Sequence, residues 1–178
     1  GCTASGNLNV IGQPSQLRID SYFQEDITSC YDALEGRIVI VGTGGNGIIT
    51  YTLDGTIQNP LGDFQNLPGG SHQISMEDEN GCTRDTMVVI LTPPEIVVDN
   101  VTITDVTGCN GDATGSVVVS GSGGTGTITY SLDGGSYLGS GTFNGLLAGN
   151  HTVTLKDDND CTRDTMFSIA EPAPITIL

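Results

Sequence analysis

Along most of the chain, apolar and polar positions alternate over short stretches that are broken by Gly, Asn, Asp or Pro. That is the two-residue period of half-buried strands separated by turns. Residues 127–132 (Thr-Ile-Thr-Tyr-Ser-Leu) alternate cleanly and run into Asp133-Gly134, a dipeptide that favours a tight hairpin turn. Residues 97–106 alternate loosely and 116–120 form a short apolar run; 141–146, 150–157 and 161–169 read as further strands. No stretch sustains a helical period. Val, Ile and Thr are frequent and suit a pleated surface, whereas Trp is absent.

The pattern repeats. A shift of 79 residues lays Cys30 on Cys109 and Cys82 on Cys161. Comparing 26–93 with 105–172 needs no gap, and 30 of those 68 positions are identical. Such a period marks a tandem array. Residues 1–14 match the end of a unit, through Gly1-Cys2-Thr3 against Gly81-Cys82-Thr83, and read as the last strand of an upstream repeat. The expected organisation is therefore that strand, a repeat over 15–93, and a second over 94–178 that includes the start of a further unit. Six or seven short strands in 79 residues predict an all-β fold of tandem immunoglobulin-like β-sandwich repeats.

Five cysteines are an odd number, and the repeat assigns them. Each full unit carries one pair, which predicts one disulfide per repeat: Cys30 with Cys82 and Cys109 with Cys161. Cys2 is then unpaired here, or paired with an upstream partner. Disulfides place the chain in an oxidising compartment, extracellular or at the cell surface. The alternative is two reduced, buried thiols per unit.

Charge narrows the partners. Twenty-one acids against five bases give a formal net charge of −16. Such a field repels phosphate backbones, so nucleic acid is excluded as a partner. No apolar stretch reaches membrane-spanning length, so membrane insertion is not expected, and no signal peptide is visible, so the chain reads as mature or excised. The same charge suits Ca²⁺, and oxygen side chains cluster before each second cysteine: Asp78, Glu79 and Asn80, then Asp157, Asp158, Asn159 and Asp160. The competing reading is an acidic turn without metal. No other cofactor is implied.

The Gly-rich segments at 42–47 and 121–126 precede alternating strands rather than helices, which argues for turns and against a phosphate loop. His72 and His151 occupy matching positions, but one histidine per unit with no second His beside it is not a zinc site. No nucleophile, base and acid recur together, so the chain is not expected to be an enzyme.

The order Ile128-Thr129-Tyr130-Ser131-Leu132-Asp133-Gly134, Phe143-Asn144-Gly145-Leu146 and Asp157-Asp158-Asn159-Asp160-Cys161 resembles the SprB repeat of Bacteroidota gliding-motility and cell-surface adhesins. The first unit has the same order through Phe64-Gln65-Asn66-Leu67 and Asp78-Glu79-Asn80-Gly81-Cys82, and departs from it around Asn59-Pro60. The resemblance implies export by a type IX route and an extended, repetitive surface filament. Asp85-Thr86-Met87 and Asp164-Thr165-Met166 resemble the Asp-Ser/Thr-apolar O-glycosylation motif of Bacteroidota, which implies glycans on Thr86 and Thr165; the alternative is a strand with an Asp–Arg surface pair. The expected function is a stalk or filament segment of a secreted adhesin, with further repeats or filament neighbours as partners. Two alternatives stand beside it. One is a module binding surface glycans through loops 56–63 and 135–142, with Tyr137 as its platform. The other is a filament subunit that exchanges strands.

Overall fold

The computed structural model describes residues 15–177, so the expected strand over 1–14 and Cys2 lie outside the described residues. All regular structure among them is β, as the alternation predicts. Thirteen strands fall into four antiparallel sheets. The chain divides into two compact units. The first holds the described residues up to Asp26 together with Leu34–Ile90. The second holds Ile27–Ala33 and the residues from Leu91 onward. The expected division at 93/94 did not include the excursion of 27–33 into the second unit.

In the first unit, β1 (Arg18–Glu25), β2 (Gly36–Thr43) and β5 (Asp63–Leu67) form one sheet in the order β1-β2-β5. The other is β4-β3-β6-β7, from β4 (Ile57–Asn59), β3 (Thr50–Leu53), β6 (Gly70–Glu77) and β7 (Thr83–Ile90). Alternate side chains on these strands bury Ile38, Ile40, Leu53, Ile74, Met76 and Ile90, which is the pleat placing every second residue on the core face.

The second unit follows the same plan. One sheet is β8 (Val97–Thr104), β9 (Gly115–Ser122) and β11 (Thr142–Leu146), with β9 central. The other runs β10 (Thr129–Leu132), β12 (Gly149–Lys156), β13 (Thr162–Ile169). Its core gathers Ile96, Val106, Val117, Val119, Tyr130, Val153, Leu155, Phe167 and Ile169. The six strands expected in this unit are all present. Register shifts fall at matching places, between Ile19 and Ser21 and between Val98 and Asn100.

Small recurring devices hold each unit. The Tyr51 hydroxyl accepts the Gly42 amide at 2.9 Å, and the Tyr130 hydroxyl accepts that of Gly121 at 3.3 Å. Each tyrosine thereby ties the two sheets of its unit together. The Asp-Gly hairpins form as read: the Thr56 amide reaches the Leu53 carbonyl at 3.1 Å and the Gly135 amide that of Leu132 at 2.8 Å. Asp133 and Gly134 have φ of 49° and 75°, both positive, as a type I′ turn requires. The units differ where Asn59-Pro60 interrupts the likeness. The first unit adds β4, and the second has a single bridge, Tyr130 to Leu138.

Candidate functional site: the acidic turn and its cysteine

The turn between β12 and β13 is built around one carboxylate. Asp157 is only 4% exposed. Its Oδ1 accepts the amides of Asn159 and Cys161, both at 2.9 Å, and its Oδ2 that of Thr125 at 2.8 Å. A short acid can fold a turn in this way because its oxygens reach amides two and four residues ahead. The charge is thus met by three dipoles, the condition under which a buried carboxylate is tolerated.

Fixed in this way, the turn presents Asn159 and Cys161 to the connection between β1 and β2, the segment Ile27–Ala33 of the same unit. The Asn159 side-chain amide donates to the Thr28 and Ser29 carbonyls, each at 2.8 Å. Two residues on, Cys161 is disulfide-bonded to Cys30, with Cα atoms 5.7 Å apart. Cys82 and Cys109 are exposed free thiols. This corrects the expected pairs Cys30–Cys82 and Cys109–Cys161, and with them the expectation of one bridge inside each repeat. The reason is where the Cys30 loop goes. It leaves the unit of its flanking strands, so its neighbour is the second cysteine of the following repeat.

The first unit builds the same turn. Asp78, 6% exposed, accepts the amides of Cys82 (2.9 Å), Asn46 (2.9 Å) and Asn80 (3.0 Å). The Cys82 amide is the main influence holding its carboxyl below the usual range, against the opposing effect of burial and with the Asn46 and Asn80 amides assisting. Among the residues considered for Ca²⁺, several oxygens have protein partners. Glu79 Oε1 accepts the Ile48 amide at 3.2 Å, and Asp160 Oδ1 accepts from Lys156 Nζ at 2.7 Å. The Asp158 carboxylate lies against Gly126. Among the described residues, no three His, Cys, Asp or Glu side chains cluster as a metal ion requires.

The other candidates are dispersed. Thr86 and Thr165 are half-buried on the edge strands β7 and β13, on the same strand parity as the buried Val88 and Phe167. Tyr137 is 40% exposed, and Lys156 Nζ lies 4.5 Å from its ring centroid. A cation therefore already sits on one face of the ring that would have stacked on a sugar.

One recurring constellation escaped the sequence reading. His72 Nδ1 lies 2.8 Å from Asp54 Oδ2 and its Nε2 3.0 Å from the Pro68 carbonyl. His151 does the same with Asp133 (2.7 Å) and Leu147 (3.0 Å), and stacks on Phe167. In each case the other carboxylate oxygen accepts a β-strand amide, Gln73 or Thr152, at 2.8 Å. The Asp133 hydrogen bond, followed by the Leu147 carbonyl, raises the His151 pKa above its ordinary value despite partial burial. Burial tends to raise the Asp133 pKa, but the His151 and Thr152 bonds outweigh it and hold that carboxyl low. The signal available beforehand was the constant spacing of 18 residues between Asp and His in both units.

These features define an all-β chain of immunoglobulin-like sandwich units, each with an acidic turn that ends in a cysteine. Residues 100–136, from β8 through the Asp133-Gly134 turn, match the SprB repeat family. Among solved structures, the chain is similar to a C-terminal 282-residue fragment of intimin in complex with the translocated intimin receptor's intimin-binding domain. The two share 14% identity over 85% of this chain and 64% of that one, with a TM-score of 0.40. It is also similar to protocadherin gamma B7 extracellular cadherin domains 1–4, with 13% identity over 87% and 49% and a TM-score of 0.35. A third is the mouse nectin-like molecule 4 ectodomain, with 11% identity over 92% and 66% and a TM-score of 0.36. The chain thus spans less than two thirds of the intimin fragment and about half of the protocadherin one. No curated protein matches it.

Proposed function

We propose that the chain is a structural repeat segment of a secreted bacterial cell-surface adhesin, extending a functional tip in a stalk or filament that serves attachment or gliding. The observation that carries this reading is the SprB repeat match at 100–136 within a chain whose 79-residue period it samples. What recurs in both repeats is structural: buried carboxylates fold turns, and a tyrosine ties the sheets. The recurring Asp–His pair supports a non-enzymatic role, because both ring nitrogens are occupied, one by the carboxylate and the other by a backbone carbonyl. No basic nitrogen is left to take a proton from a substrate. The acidic surface and the disulfide support an extracellular location.

Labelling intact source cells with an antibody to this chain, alongside deletion of one repeat from the gene, tests the proposal. Surface label, with shorter filaments and unchanged attachment after the deletion, is the expected result. Label confined to the cell interior, or lost attachment at unchanged filament length, contradicts it.

A further inference from the structure

The bond between Cys30 and Cys161 joins a socket to a hook. The hook is the turn ending in Cys161, with Asn159 clamping the opposite backbone. The socket is the Cys30 loop, closed by the Ala33 amide on the Cys30 carbonyl at 3.1 Å and anchored by the Ile27 amide on the Leu91 carbonyl at 2.9 Å. Among the described residues, each half exists once more without its mate. The Cys109 loop repeats the socket, with the Asp112 amide on the Cys109 carbonyl at 3.0 Å and the Val106 amide on the Ala170 carbonyl at 2.9 Å. The Asp78 turn repeats the hook, with Asn80 and Cys82 in the places of Asn159 and Cys161.

A cavity lies beside each socket, and its lining differs between the two. Beside the formed bridge, about 390 Å³ is lined by Cys30 and Pro93–Ile96 on the socket side and by Asp157, Asp160 and Cys161–Arg163 on the hook side. Beside Cys109, a cavity of about 390 Å³ is lined by the matching socket residues, Cys109 with Pro172, Ala173, Pro174 and Ile175, and by no hook residue. The exposed thiols of Cys82 and Cys109 are therefore not two unrelated cysteines. They stand in the two positions that are bonded to each other elsewhere in the same chain.

We propose that Cys82 and Cys109 are the two halves of the same bridge made between copies of this repeat. The Cys109 loop accepts the hook of one further copy, and the Cys82 hook enters the socket of another, so that copies join head to tail in register. This does not rest on the adhesin reading. With a small-molecule disulfide such as oxidised glutathione as the two-electron acceptor, the Cys109 thiolate opens it and releases one glutathione thiolate. The Cys82 thiolate of the next copy then attacks the mixed disulfide at Cys109 and releases the second. Two protein thiols lose two protons and two electrons, and one oxidised glutathione becomes two reduced.

The test uses the 178-residue chain carrying Cys2→Ser, equilibrated in a glutathione redox buffer and followed by non-reducing electrophoresis and disulfide mapping. A ladder of covalent multimers is expected, joined by Cys82–Cys109 between molecules, with Cys30–Cys161 intact in each. Adding Cys82→Ser to one sample and Cys109→Ser to another should leave each a monomer, and mixing them should give one heterodimer. Adding Asn80→Ala should lower the linked fraction about tenfold, as expected for the loss of two ordinary hydrogen bonds. Symmetric Cys82–Cys82 or Cys109–Cys109 dimers, a Cys82–Cys109 bond within one molecule, or glutathione adducts without multimers would each overturn the proposal. A ladder indifferent to Asn80→Ala would overturn the hook geometry.

Discussion

Cys161 is bonded to Cys30 across 131 residues of chain, while Cys109, the other cysteine of its own repeat, keeps a free thiol. In the chain-entropy treatment, closing a loop of that length restricts the unfolded chain by about 5 kcal/mol. Cys161→Ser should therefore lower the free energy of urea unfolding of the second unit strongly, whereas Cys109→Ser should leave it within a few tenths of a kcal/mol. Equal effects from the two changes would show that the bridge lies elsewhere.

Asp157 is the keystone of the hook. Asp157→Ala leaves three part-buried amide hydrogen bonds without their acceptor and should cost about 3 kcal/mol, since each bond to a charged group is worth about 1.5–3. Asp157→Asn keeps one good oxygen and should cost less. Calorimetry of both variants checks the order, and a harmless alanine would contradict the assigned role.

The Asp133–His151 pair makes the second unit pH-sensitive. His151 has a raised pKa in the folded state, so its contribution is fully present below the ordinary value of 6.5 and is lost as pH rises through the folded value. Asp133 has a lowered pKa, so its contribution is present above 3.8 and is lost as pH falls through the folded value. The melting temperature of the second unit should accordingly decline as pH rises from about 6 towards 8. His151→Gln should flatten that decline. Asp133→Asn should flatten it too while keeping the turn, because Asn tolerates positive φ. A decline of unchanged slope in both variants would exclude the pair as its source.

The Gly-rich segment is a site of close backbone approach. Gly123 has φ of +82°, and a Cβ there would meet the Glu95 carbonyl oxygen. At Gly134 φ is +75° and nothing lies within 4 Å. Both changes to alanine cost strain, of about 1 kcal/mol. Gly123→Ala should cost clearly more, about 1–3 kcal/mol further, for displacing backbone. Thermal melts of the two variants compare them directly, and a Gly134→Ala cost equal to that of Gly123→Ala would refute the close approach.

The strands were legible because period-two alternation is local, and so were the turns, where Asp133-Gly134 and the Gly-rich runs supply positive φ. The partner of Cys30 was not. A translational repeat makes Cys82 and Cys161 equivalent in residue type and context, so period and parity fix which class of cysteine Cys30 meets but leave open which copy. The acids before each second cysteine suited either oxygen ligands or a metal-free turn, and the sequence could not show that Asp78 and Asp157 each accept one amide from 32 residues away beside two local ones. The Asp54–His72 and Asp133–His151 pairs were missed because each residue alone has an ordinary explanation. Only their joint recurrence at one spacing points to contact.

The linkage of Cys30 to Cys161 is the claim from which the rest follows, and peptide mapping of the non-reduced chain, digested under thiol-blocking acidic conditions, tests it most directly. The predicted result is a single peptide pair containing Cys30 and Cys161, with Cys82 and Cys109 recovered as free thiols or in bonds between molecules. Recovery of Cys30 with Cys82 and of Cys109 with Cys161 would contradict it.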